Sequence, residues 1–144
     1  MAPDFSWTIR IYYEDTDAGG IVFYANYLKF FERARTEWLR ATGISQQAMA
    51  QSEGVAFVVK SSGVDYHAPA RLDDELKVTV AVQRLGRASV QFFQQAWRIG
   101  SSPELLASGH IKVGCVDLAT FRPAPIPAAA VAKIRRYQSA ATPP

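Results

Sequence analysis

Between residues 24 and 42 apolar side chains recur at helical spacing: Tyr27, Phe31, Ala34, Trp38 and Ala41 fall on one stripe, which Leu28, Phe30 and Leu39 widen. The spacing predicts a helix that is gripped on several sides. Gly43 stops it, and a short second helix over 45–52 ends at Gly54. After Gly54 the period changes to two. Residues 55–68 form a long predicted strand and 69–74 a turn. Residues 75–85 then alternate with Leu76, Val78, Val80 and Val82 on one face. A Gly86-Arg87 turn leads into 88–99, and a Gly-Ser-Ser-Pro loop separates that strand from 105–116. Before the helix, residues 7–13 alternate and carry β-branched and aromatic side chains, which predicts a first strand ending at an Asp-Thr-Asp-Ala-Gly-Gly loop.

One strand, one apolar helix and four further strands make an α+β chain. Its economical packing is two layers, the helix against a single antiparallel sheet of five strands. The expected organisation is one domain over 1–138, with a loose basic helix at 128–137 and a disordered tail over 139–144. At 144 residues and 49% hydrophobic content the chain can bury one core without staples. Its single cysteine, Cys115, excludes an internal disulfide, and its two isolated histidines, His67 and His110, match no metal-ligand spacing, so no metal or other cofactor is expected. The first residues carry no leader pattern and no run of about 18 apolar residues occurs, so the expected location is cytoplasmic, without a membrane span. A net charge of +3 with scattered Lys and Arg argues against nucleic acid and suits an anionic small partner.

The chemistry concentrates in residues 12–35, YYEDTDAGGIVFYANYLKFFERAR. An acidic pair and two glycines stand just before the helix, so a carboxylate and the free amides of a helix start meet in one turn. Such a turn suits reactions at a carbonyl, in which the carboxylate attacks or deprotonates and the amide holds the developing oxyanion. Asp17 is the candidate carboxylate; an Asx turn with its own backbone is the competing use of a loop aspartate. Asp15 is expected to brace the loop by accepting backbone hydrogen bonds. Gly19 and Gly20 let a substrate approach the backbone closely. On the helix, Glu32 and Arg35 are expected to form a salt bridge. Lys60, Arg71, Arg84, Arg87 and Lys112 are candidate phosphate contacts, Lys60 and Arg87 foremost. His67, His110 and Cys115 are assigned no chemistry.

These residues, together with FVVKSSGVDYHAPARLDDELKV and GCVD further on, resemble the hotdog-fold acyl-CoA thioesterases of the 4-hydroxybenzoyl-CoA thioesterase family, and within it the Tol-Pal-associated branch. The resemblance covers about residues 8–122. It implies a hotdog fold, in which the five-stranded sheet wraps the central helix, and hydrolysis of an acyl-coenzyme A thioester. It places the catalytic aspartate at Asp17 and the carbonyl-polarising amide at Tyr24. Many members of that branch carry a histidine where this chain has Tyr24, so no role of that side chain transfers. The resemblance further implies a homodimer or homotetramer with pockets at the subunit interface. An acyl carrier protein is a compatible partner, and a non-enzymatic hotdog module that docks such a carrier or a membrane-associated complex is the alternative function.

Overall fold

The computed structural model describes residues 3–141. Its elements follow the two periodicities of the chain. Strand β1 is Phe5–Arg10, helix α1 Asn26–Thr42, helix α2 Gln46–Glu53, strands β2 to β5 are Val55–Tyr66, Glu75–Leu85, Ser89–Arg98 and Glu104–Asp117, and helix α3 is Ala128–Ala141. The five strands form one antiparallel sheet in the order β1-β3-β4-β5-β2. Because α1 lies between β1 and β2 in sequence and those strands are the two edges, the helix has to cross the whole face of the sheet. The sheet curls around it, and the result is the hotdog fold.

Alternation explains how that face is filled. The cross-strand pairs Val90 with Val113, Phe92 with Ile111, Gln94 with Gly109 and Ala96 with Ala107 put every second residue of β4 and β5 under the helix. Against them α1 buries Tyr27, Phe30, Phe31, Ala34, Trp38 and Leu39. The closest approach is at Gly109, where a Cβ would stand 2.8 Å from Phe31 Cε2. Glycine therefore lets the Phe31 ring rest on the strand, and neighbouring Gln94 donates to Phe31 O at 3.0 Å.

Several boundaries differ from expectation, each with a local reason. The first strand ends at Arg10, because the Asp15 carboxylate accepts the Tyr12 amide at 2.8 Å and folds residues Tyr13–Asp15 into a 3-10 turn. Helix α1 starts at Asn26, since Tyr24 and Ala25 form the turn that leads into it. Gly43 and Gly54 cap α1 and α2 with φ of 92° and 65°, and Ser45 caps the start of α2 through Ala48 N–H. The last helix continues to Ala141, into the segment expected to be disordered; residues 142–144 lie outside the described range. No helix among the described residues is long and apolar enough to cross a membrane.

Candidate active site

The loop between β1 and α1 is a tight hairpin laid against the approach to β3. Thr16 bridges Val22 and Ile21 bridges Arg71, while Val22 N–H donates to Ala70 O at 2.8 Å. Asp17 donates its amide to Ile21 O and accepts that of Gly20 on its carbonyl, a turn that needs the positive φ of 79° at Gly20. At Gly19 a Cβ would press within 3.2 Å of Asp17 Oδ1. Gly20 is thus required by the way the chain turns around Asp17, and Gly19 lets the Asp17 carboxylate lie close over the backbone.

Asp17 is solvent-exposed, and its Oδ1 accepts the Gly19 amide at 2.8 Å in an Asx turn. The turn sets the carboxylate's orientation and leaves Oδ2 without a partner among the described residues. Asp15, by contrast, is buried and structural: its carboxylate holds Tyr12 N–H and its carbonyl accepts both Phe23 N–H at 3.0 Å and Asn26 Nδ2 at 2.8 Å. Those last two bonds tie the hairpin to the start of α1. The bracing role expected of Asp15 is the one it has.

At the helix start the Tyr24 amide has no acceptor among the described residues, as befits the first turn of a helix. The Tyr24 carbonyl is held by Tyr66 Oη at 3.0 Å. Tyr66 comes from the end of β2 and also packs edge-on against the rings of Tyr24 and Tyr27. Burial raises the Tyr66 phenol above its usual pKa, with a smaller contribution from Tyr24, so it stays a donor at neutral pH. Neither Tyr66 nor Asn26 is singled out by the sequence. The Asn26 position beside the acidic loop was a usable signal, whereas Tyr66 is brought in by tertiary structure alone.

The remaining candidates are not gathered here within one chain. Lys60 sits at the β-bulge between Val59 and Ser61, with its aliphatic stem lying over Gly114. Arg87 is in the β3–β4 turn beside Ser89, and register carries that level across Gly114 to Val58. From Val58 to Tyr66 is eight residues of strand, roughly 26 Å, so Arg87 lies at the opposite end of the sheet from Asp17. Arg71, ranked lower from sequence, is the cation bridged to the Asp17 hairpin.

The expected Glu32–Arg35 salt bridge is absent among the described residues. Glu32 accepts from Thr36 Oγ1 at 3.0 Å, and Arg35 is buried and donates to Gln94 Oε1 at 2.9 Å. Helical offset brought the two together on paper, but Arg35 faces the sheet while Glu32 faces solvent. His67 Nε2 pairs with Ser108 Oγ, His110 packs on the Phe93 ring, and Cys115 is buried with its thiol pKa raised by desolvation. The described residues contain no group of three or more His, Cys, Asp or Glu that could hold a metal ion.

A hotdog sheet wrapped around one central helix is the fold of the thioesterase-like class. The chain belongs to the Thioesterase-like superfamily, which it matches over residues 12–134. It is 45% identical to the acyl-CoA thioesterase YbgC of Haemophilus influenzae over 123 residues, 85% of this chain and 88% of that one. It is 43% identical to the acyl-CoA thioester hydrolase YbgC of Escherichia coli O157:H7 over 132 residues, 92% of this chain and 96% of that one. Among solved structures, a 1,4-dihydroxy-2-naphthoyl-CoA thioesterase from Synechocystis superposes with a TM-score of 0.82 at 22% identity, covering 94% of this chain and 95% of that one, a likeness of fold.

Proposed function

We propose that the protein is an acyl-CoA thioesterase, which hydrolyses the thioester of an acyl-coenzyme A to the free acid and coenzyme A. The observation that carries this reading is the hairpin that sets the Asp17 carboxylate and ties itself, through Asp15 O, to the helix start bearing the unpaired Tyr24 amide. Named acyl-CoA thioester hydrolases more than 40% identical over most of the chain support the same substrate class.

Chemistry follows from those two groups. The thioester oxygen accepts the Tyr24 N–H, and the partial positive charge of the α1 N-terminus adds to it, so the negative charge that develops on that oxygen is stabilised. Asp17 then attacks the carbonyl carbon to give a mixed anhydride that water cleaves, or it takes the proton of a water that attacks directly. The bond that breaks is carbon–sulfur, and the thiolate leaves without a strong acid. Continuous assay of short-chain, long-chain and aromatic acyl-CoAs with a thiol-detecting reagent tests the reading: coenzyme A release from at least one class is expected, and none from any class refutes it.

Assembly is part of the proposal. Strand β2 is an edge of twelve residues with an unpaired outer side, and Val59 on it is half exposed. Two copies pairing antiparallel along β2 continue one sheet, and two such homodimers make a homotetramer. In that arrangement the partner's Arg87 end lies level with Asp17, and Lys60 and Arg87 serve as phosphate contacts for a substrate that spans two subunits. Sedimentation across a dilution series, run beside rate measurements, should find activity falling as the dimer dissociates; a fully active monomer refutes the shared site. The resemblance to the Tol-Pal-associated branch supports a cytoplasmic site of action near that envelope system, and an acyl carrier protein as a second thioester donor.

A further inference from the structure

Arg35 is a cation without a counter-ion. It is 9% exposed on α1, no carboxylate reaches it within ion-pair distance among the described residues, and burial draws its pKa below the usual arginine value, with Glu32 opposing. Nη1 donates to Gln94 Oε1 at 2.9 Å, and the guanidinium lies 6.0 Å from the centre of the Phe92 ring. Gln94 Oε1 is the acceptor Arg35 has among the described residues, and the Gln94 amide nitrogen, itself a donor, bonds Phe31 O and Thr79 O. A guanidinium carries five N–H donors, and the others have no acceptor among the described residues.

The second observation is independent. Trp38, 1% exposed and one turn further along α1, has an indole Nε1 that is buried with no hydrogen-bond partner. Arg35 and Trp38 line the same cavity of about 220 Å³, whose other walls include Phe57, Val90, Val113 and Ile134. Glu32 at its rim is turned to the Thr36 hydroxyl and stands in solvent, where its repulsion of an incoming anion is screened.

A small cavity with a buried guanidinium that has no counter-ion, set beside Phe57, Val90, Val113 and Ile134, is complementary to an anion on a short hydrocarbon body. We propose that this cavity binds a carboxylate, its two oxygens on the free N–H groups of the Arg35 guanidinium. The inference deepens the thioesterase reading and rests on it only for the source of the carboxylate. That source is either the far end of an acyl chain still joined to coenzyme A or the free acid after release.

Calorimetric titration of the intact protein with hexanoate and with hexan-1-ol separates charge from hydrocarbon. Hexanoate should bind about ten- to a hundredfold more tightly, as a charge-assisted hydrogen bond is worth. Arg35→Met should abolish that preference, and Arg35→Lys, which keeps a cation there, should retain part of it. Equal binding of the two probes, or a preference that survives Arg35→Met in a protein of native melting behaviour, overturns the proposal; Arg35→Gln decides by the same criterion if Arg35→Met does not fold.

Turnover of adipoyl-CoA against hexanoyl-CoA identifies the source. A kcat/KM at least tenfold higher for adipoyl-CoA, lost in Arg35→Met, assigns the site to the acyl terminus. Product inhibition by hexanoate that Arg35→Met relieves assigns it to the released acid, and the absence of both overturns the proposal. Hexanoate binding without hydrolysis of any acyl-CoA refutes the thioesterase reading instead.

Discussion

Replacing Gln94 with leucine should be among the most damaging single changes in the core. Gln94 is 0% exposed, accepts from Arg35 Nη1 at 2.9 Å, and donates to Phe31 O at 3.0 Å and to Thr79 O at 3.3 Å. Leucine keeps the volume and removes all three contacts. The bond to the charged guanidinium is worth about 1.5–3 kcal/mol, and the two neutral bonds about 0.5–1.5 kcal/mol each, which sums to roughly 2.5–6 kcal/mol. For 144 residues the whole stability is of the order of 7–22 kcal/mol, so a large part would go. Urea unfolding followed by tryptophan fluorescence should place the midpoint about 1–3 M lower at an unchanged slope. The companion Arg35→Met removes the stranded charge. The double variant should therefore be more stable than the sum of the singles allows, by about 1.5 kcal/mol or more. A loss under about 1 kcal/mol for Gln94→Leu, or strict additivity, would refute the claim that Gln94 is what makes a buried Arg35 tolerable.

Gly109→Ala should lose about 1–3 kcal/mol, measured by the same denaturation, because its Cβ meets the Phe31 ring at 2.8–3.2 Å with α1 pinned behind it; an unchanged midpoint would mean that the helix is free to shift. Asp15→Ala, which deletes the oxygen that accepts the Tyr12 amide, should lower both melting temperature and turnover, and a loss of rate at full stability would contradict the bracing role of Asp15. Tyr66→Phe removes one of the two donors to the Tyr24 carbonyl, leaving the Tyr27 amide, and should reduce kcat more than it raises KM. The folded pKa of Tyr66 is raised above 10.0, so its contribution is complete below that pH and is lost as pH climbs through the folded value; wild-type stability should fall more steeply than that of Tyr66→Phe above about pH 10.

How much of this was legible in the sequence depends on how local each cause is. The helix was readable because the stripe from Tyr27 to Leu39 must face one core, and strands β3 to β5 because their alternation is clean. The first strand and the helix start were misplaced by two or three residues. There a single side-chain contact, Asp15 on the Tyr12 amide, redirects the backbone, and no periodicity reports such a contact. At the site, Asp17, Gly19 and Gly20 stand together in the chain and were found together. Tyr66 joins them from forty-two residues away through its hydroxyl, which only the folded β2 can place. Arg35 was paired with Glu32 because helical offset says which residues share a face, not which of them turns toward the sheet.

The most direct test of the central claim is the turnover of acyl-CoA by Asp17→Asn. Asparagine can keep the Oδ1 contact with the Gly19 amide, so the loop and the melting temperature should stay as they are. The side chain can no longer attack or act as a base, and kcat should fall by about 10²–10⁴ or more with coenzyme A release as the readout. Near wild-type turnover by a fully folded Asp17→Asn would contradict the account.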